Sequence, residues 1–493
     1  MESTPSKPKG KRTLLIVVVA LIVVAAVVAV ALLPGLMNND DGDDDTEEGS
    51  PTMVGSKLFG SESVEEFKAI ALDQAGFVYL VGMVEGDGSV TTDGAYDTIF
   101  GGLIDIIVVK MDSNLTEVVA CTYLGGNGYD RAYSIVIGPN GNVFVAGGTS
   151  SEDFPITTGA FNSTGTPIDD EYHHNVFIAE FDPSLATLVS STYTGVVIED
   201  PQVQIAFDGQ GRVVIAGSVR AATMIATGGA YDTEYSGDID GFIQLLESDL
   251  HDVQAATYIG GTGIDLITSM LIDDQGDVLI AAEVDSAELF TFADAFIYRF
   301  SSNLSDLKGS FQLGGPQWDR INALVLDIDG NVLATGWTDG EFPVTDGSYD
   351  SVGHAEIMGF VARVDKGLTS IMDATYFGDA GPLSVLCDQD GNVIVTGAGT
   401  AIPTTDDAIQ VTQGGNMDLF VAQLNPSLSD LQYSTYIGGT WMDGEGSGSV
   451  LNANGTVYVC GFTQSIDFPT LNNEQGHVVP GESSDAVVFA IKL

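Results

Sequence analysis

A chain of 493 residues with 69 Asp and Glu against 16 Lys and Arg has a formal charge of −53. That charge excludes a nucleic-acid binder, because affinity for phosphate backbones comes from clustered cations. A hydrophobic share of 44% is enough for a large core and excludes global disorder, while 3 Cys can neither build a disulfide framework nor match the spacing of a zinc site.

The first 13 residues are a basic tail with Lys7, Lys9, Lys11 and Arg12. Leu14 to Leu33 follows as an unbroken apolar run of 20 residues. As a helix rising ~1.5 Å per residue it spans about 30 Å, the hydrocarbon thickness of a bilayer. Pro34 and Gly35 end it. The basic flank keeps the N-terminus cytoplasmic and puts everything after residue 35 outside. The competing reading is a cleaved signal peptide, since Ala29-Val30-Ala31 resembles a cleavage site. The run exceeds the ~7–15 residues of a signal core, so a single retained transmembrane helix over 14–33 is the expectation. Both readings put the body of the protein outside the cytoplasm.

Residues 34–54 read as an acidic flexible stalk, with seven carboxylates between 38 and 50 that repel one another; a solvated spacer is favoured over a cation-collecting tail. Beyond residue 34 the chain has 12 basic against 68 acidic groups, a net of −56. Such a surface resists aggregation and suits cationic ligands.

From 55 to 493 the sequence repeats. A turn glycine recurs at Gly76, Gly141, Gly211, Gly276, Gly330, Gly391 and Gly455, and six residues later comes Gly82, Gly147, Gly217, Ala282, Gly336, Gly397 and Gly461. The β-branched runs between them, and the apolar segments ahead of each turn, predict hairpins. Two further strands complete each unit, one of the type Phe420-Val-Ala-Gln-Leu424 and one of the type Thr435-Tyr-Ile-Gly-Gly439. The pattern predicts an all-β fold, a seven-bladed β-propeller of four-stranded blades. Ser56–Gly60 matches a fourth, outer strand with no first three before it, and Phe489–Leu493 matches a third strand where the chain stops. The N-terminal strand is therefore expected to complete the last blade and close the ring.

These residues resemble the seven-bladed β-propeller repeat (SBBP) family, whose units combine a T-Y-x-G-G strand, a G-N-V-x-V-x-G hairpin and an F-V-A-x-L strand. The unit between Gly260 and Leu313 departs from the pattern in being short and in lacking the F-P-x-T loop of Phe154-Pro155, Phe342-Pro343 and Phe468-Pro469; another is degenerate around Ala221–Thr227. The resemblance implies a fold and a prokaryotic cell-surface or secreted location, and it transfers no catalytic residues.

Candidate chemistry is sparse. His173-His174 has no partner motif and reads as part of a solvated loop; Cys121, Cys387 and Cys460 read as buried thiols. Asp327–Asn331 and Asp388–Asn392 lack the spacing of an EF-hand, and hairpin geometry accounts for them. Asn114, Asn162, Asn303 and Asn454 head glycosylation triplets. One register stands out. Five residues after the first glycine of the T-Y-x-G strand come Glu65, Asp130, Asp200, Asp265, Asp319 and Asp443, broken only at the shortened Gly378–Pro382 link. Local capping of loop amides explains such a repeat; a carboxylate ring that collects calcium or a cationic partner is the alternative.

The expected function is a membrane-anchored extracytoplasmic scaffold that binds a surface protein or glycan through its blade-connecting loops, with no catalytic site and no resident cofactor beyond the calcium alternative. The other two readings are a polysaccharide hydrolase or lyase that uses acidic residues at the channel mouth, and a structural envelope component.

Overall fold

The computed structural model describes residues 50–493 apart from 61–63, 87–90, 169–172, 200–201, 286–293, 354–356, 445–447 and 472–482. The expected transmembrane helix at 14–33 and most of the stalk lie outside the described residues. Among those described, no helix is long and apolar enough to cross a membrane.

Each repeat folds as an antiparallel meander. In blade 1 the strands are Glu65–Leu72, Val78–Val84, Asp105–Met111 and Val118–Leu124, paired in that order, and five further sheets repeat the arrangement. The first strands of successive blades touch all the way round the ring. The turn between the first two strands requires its glycine: all seven turn glycines have φ between 76° and 86°, in the left-handed region. Where Asp leads the turn, its carboxylate caps it, as Asp327 Oδ1 does by accepting from Asp329 N at 2.9 Å and Asn331 N at 2.8 Å. The second glycine has another cause. The first strand bulges between Ala132 and Ser134, and a Cβ on Gly147 opposite would lie 2.0 Å from Arg131 O.

Closure is as the two chain ends implied. Thr52–Phe59 pairs antiparallel with Asp485–Lys492, and so supplies the outer strand of blade 7; it begins at Thr52, ahead of the expected boundary at 55. Tyr458 of blade 7 also donates from its hydroxyl to Ser113 O of blade 1 at 2.8 Å.

The outer edge of a blade is covered by its own second-to-third connection. In blade 1 the loop residue Thr92 exchanges bonds with Cys121, its N donating to Cys121 O at 3.1 Å and its Oγ1 accepting from Cys121 N at 2.9 Å. Tyr123 N then donates to Asp97 O at 3.0 Å, and Asp97 N to Thr122 Oγ1 at 2.9 Å. Thr157 with Ser191, Thr227 with Ala256, Thr345 with Ala374 and Thr405 with Ser434 repeat the exchange in blades 2, 3, 5 and 6. The Thr of the T-Y motif is thus a buried receptor for the loop. The same loops reach the next blade, where Tyr96 N, Phe161 N, Tyr231 N and Tyr349 N donate to the carbonyls of Leu185, Leu250, Leu304 and Leu428. Those leucines, with Leu115 and Leu368, hold φ of 52–59°, an unusual conformation for a leucine. The strain is about 1–2 kcal/mol. Burying a leucine contributes about 2–3 kcal/mol, and all six are buried, so burial wins.

Deleting residues 50–59 should leave blade 7 with an uncovered edge and cost roughly 3–6 kcal/mol of stability, with more self-association than the parent shows. Denaturant unfolding and light scattering read both; a deletion variant as stable as the parent and no more associated would contradict the closure.

Candidate functional site

In an antiparallel meander the second-to-third connection and the link from the fourth strand to the next blade emerge at one end. The short hairpin turns lie at the other. The start of each first strand, where the carboxylate register falls, therefore sits at the end that carries the long connections.

Glu65, Asp130, Asp265, Asp319 and Asp443 each lie at or beside the start of a first strand, and all are buried. Asp200 lies outside the described residues. The register has a local cause in four of them. Gly126 N, Gly261 N, Gly315 N and Gly439 N, the second glycines of the T-Y-x-G-G type segments, donate to Oδ2 of Asp130, Asp265, Asp319 and Asp443 at 2.7, 2.8, 2.7 and 2.6 Å. Ser151 Oγ adds a bond to Asp130 Oδ2 at 2.8 Å, and Ser465 Oγ one to Asp443 Oδ2 at 3.0 Å. The Thr463 hydroxyl donates to Asp443 Oδ1.

A second carboxylate series faces the first, and sequence reasoning missed it. Asp105, Asp240, Asp418 and Asp485 open the third strands of blades 1, 3, 6 and 7 and are all buried. Gly101 N, Ser236 N and Gly414 N cap Oδ2 of Asp105, Asp240 and Asp418 at 2.7, 2.8 and 2.7 Å. Adjoining strand starts are bonded across the seam, as Asp130 N to Ile104 O at 2.9 Å and Asp443 N to Met417 O at 2.8 Å. The first glycine of T-Y-x-G-G lies between the two carboxylates: a Cβ on Gly125 would be 2.6 Å from Asp105 Oδ1 and 2.8 Å from Asp130 Oδ2. The signal was an Asp two residues ahead of the F-V-A position in five of the seven blades, at Asp105, Asp240, Asp294, Asp418 and Asp485.

Burial pushes these groups up. Asp130 and Asp443 rise to about 6, chiefly by desolvation, with the charges of Asp105 and Asp418 adding to it and the hydroxyl and amide donors opposing it. Asp105, Asp240, Asp319 and Asp418 shift upward for the same first reason.

The other candidates resolve individually. His174, expected in a solvated loop, is instead the buried first residue of the strand His174–Phe181, because the outer strand of blade 2 runs on to Ile198 and pairs with it. His173 stays half-exposed, 3.7 Å from Glu199 Oε1. Cys121 and Cys460 are buried free thiols pushed up to about 12 by burial, which suits packing rather than nucleophilic chemistry. Cys387 is half-buried. Among the described residues no group of three or more His, Cys, Asp or Glu is placed to hold a metal ion.

Residues 121–155, from the outer strand of blade 1 into the second-to-third connection of blade 2, match the β-propeller repeat family SBBP. That stretch is similar to one SBBP repeat, as the motifs implied, and the seven-bladed propeller around it is shown by the sheets themselves. No curated protein matches it. Among solved structures, a protein of unknown function from Dyadobacter fermentans DSM 18053 is similar over 90% of this chain and 99% of its own, at 10% identity and a TM-score of 0.46. The Dos1 propeller is similar over 89% and 95%, at 10% identity and 0.43, and the WD40 β-propeller domain of Doa1 over 88% and 97%, at 11% identity and 0.41. Likeness at this level says nothing of what the chain binds.

Two outcomes follow from the caps. A carboxyl raised in the folded state contributes stability that is fully present below its unfolded value of 3.8 and is lost as pH rises through about 6. Each such shift amounts to at most about 3 kcal/mol. The parent should therefore melt higher at pH 5 than at pH 7.5, and Asp130→Asn with Asp443→Asn should flatten that difference; an undiminished difference in the double variant would remove these two groups as its source. Local capping also leaves the melting curve indifferent to calcium and to chelator. A chelator-induced drop, abolished by Asp130→Asn with Asp319→Asn, would assign a cation to the register instead.

Proposed function

We propose that the chain is an extracytoplasmic binding and interaction scaffold, tethered through 14–33 and an acidic stalk, whose loops at the carboxylate end, those within blades as well as those between them, engage a surface protein or glycan. One observation carries the binding surface. Among the described residues, most of the large apolar side chains left exposed lie in connections that start from the carboxylate end, including Ile99, Leu103, Ile225, Ile357, Val411 and Leu471. Exposed apolar groups on loops held by a rigid frame are the usual material of recognition. The repeated polar chemistry, by contrast, goes into caps and edge cover. The tether rests on the length of the apolar run and its basic flank, as read from the sequence.

The full chain should fractionate with membranes, and protease added outside intact cells should remove the propeller. Recovery of mature protein beginning near Leu32, free in the medium, would refute the anchor. For the surface, a screen of glycans and surface proteins should return a ligand whose affinity falls about tenfold when Ile225 and Val411 become Ser, at unchanged melting temperature. A ligand bound equally well by that variant would move the binding surface off these loops.

A further inference from the structure

The seam between blades 5 and 6 lacks a contact that two other seams share. Between blades 1 and 2 the link from outer to inner strand is packed against the end of the next blade's second strand: Asn127 N donates to Asp153 Oδ1 at 2.8 Å, and Gly128 N to Ser151 Oγ at 2.8 Å. The seam between blades 6 and 7 repeats this with Thr440 N on Asp467 Oδ1 and Trp441 N on Ser465 Oγ, both at 2.9 Å. Between blades 5 and 6 both halves are shortened. The inner strand of blade 6 starts already at Asp379, three residues after Tyr376, and three residues separate Gly399 from Pro403 where five separate the equivalent Thr149 from Pro155. Met358 stands where five of the other third strands carry Asp, namely Asp105, Asp240, Asp294, Asp418 and Asp485; blade 2 has Asn175 there. A cap and the link that it would bind are thus absent together.

In their place is a cleft of about 590 Å³. A second recess of about 310 Å³ adjoins it, and Asp379 lines both. The larger volume is that of a small-molecule site. Its walls are aromatic and aliphatic, with Tyr349, Met358, Tyr376 and Ile402 among them. They are also pinned. The Tyr376 hydroxyl accepts from Phe342 N at 2.8 Å, Tyr349 N donates to Leu428 O at 2.8 Å, and Ile402 N donates to the Tyr436 hydroxyl at 2.7 Å. The cleft is therefore preformed.

Its charge is one-sided. Asp350 and Asp379 line it, and among the described residues no Lys or Arg lines either space. Asp379 is exposed, and among the described residues its carboxylate has neither a hydrogen-bond donor nor a cationic partner. An apolar, aromatic-walled cleft with an unneutralised carboxylate, on a chain with 69 acidic and 16 basic residues, selects for positive charge on an apolar body. Anions and strongly hydrated metal ions find no matching donors or oxygen cage here.

We infer that the cleft between blades 5 and 6 binds a small organic cation, an alkyl- or arylammonium, with its charged head at Asp379 and its apolar body against Tyr349, Met358 and Tyr376. This site is separate from the macromolecular surface proposed above and stands or falls without it. Calorimetric titration of the full chain at about 0.15 M salt, where diffuse attraction to the acidic surface is screened, tests it. Phenethylammonium should bind saturably with one site per chain, about tenfold more tightly than 2-phenylethanol, and phenylacetate should not bind. Asp379→Asn should weaken the ammonium about tenfold and leave the alcohol unchanged. Ala401→Trp, at an exposed position on the cleft wall, should abolish both, with the melting temperature confirming that the variant is folded. Asp329→Asn, on a turn at the far end of blade 5, should change nothing. Non-saturating heats, equal binding of ammonium and alcohol, or unchanged ammonium affinity in Asp379→Asn or Ala401→Trp would each overturn the assignment.

Discussion

A four-stranded blade set radially has its inner edge sheltered by the ring and its outer edge turned to solvent, where a row of unpaired amides and carbonyls would recruit another chain. The loop that runs from the second to the third strand answers this by folding back along the fourth. Its Thr exchanges two bonds with the edge, as Thr92 does with Cys121, and its following turn is received by the Thr of the T-Y motif. Much else depends on that contact. It fixes the length of the loop, sets a Tyr or Phe against the neighbouring blade, and needs a carbonyl there presented by a leucine held at positive φ. Edge cover and ring assembly are one set of bonds.

The same economy governs charge. With so few cations the chain places several at the seams, on the end opposite the carboxylates. Lys110 Nζ donates to Pro183 O at 2.9 Å, Arg212 Nη2 to Ser302 O at 3.0 Å and Arg299 Nη1 to Lys366 O at 2.7 Å, each in the next blade. Arg363 donates to Pro426 O in the same way. Three of them also meet a carboxylate of their own blade: Arg212 with Asp208 at 2.7 Å, Arg363 with Asp327 at 2.9 Å and Arg299 with Asp273 at 3.5 Å. A guanidinium that neutralises one turn while fastening the next offsets, seam by seam, part of the repulsion that so acidic a chain accumulates.

What could be read from the sequence was what is periodic and local. Turn glycines, strand alternation and the two unmatched end strands specify the blades and their closure, because each needs only a short stretch of chain. The carboxylate register was visible for the same reason, and its cause lies four residues away, at Gly126 for Asp130. The pairing of Thr157 with Ser191 was not visible: the F-P-x-T loop and the T-Y strand were both conspicuous, but the partners are 34 residues apart and nothing in either names the other. The burial of His174 depends on how far the outer strand of blade 2 extends, and the carboxylates that open the third strands acquire meaning only when the adjoining blade faces them. Contacts across a seam belong to two repeats at once, so a pattern found within one repeat cannot show them.

That division also bears on where such a fold can change. In a ring of near-identical units, stability is close to a sum of terms within blades and between neighbours. The polar caps at the carboxylate end are of both kinds: Ser151 holds Asp130 within blade 2, while Asp130 and Asp153 of blade 2 hold Gly126 and Asn127 of the link from blade 1. Removing only one half of such a seam would leave buried donors or carboxylates without partners, at about 1–3 kcal/mol for each group. Removing both halves together leaves no orphan, only a space whose walls remain fixed by edge bonds that the change does not touch. At the seam between blades 5 and 6 the link, the cap and the third-strand Asp have all gone, yet Thr345 still exchanges its bonds with Ala374 and Tyr349 still reaches Leu428. A cleft can open there without loosening the ring, because Tyr349 with Leu428 at the outer edge and Arg363 with Pro426 at the opposite end still join blade 5 to blade 6.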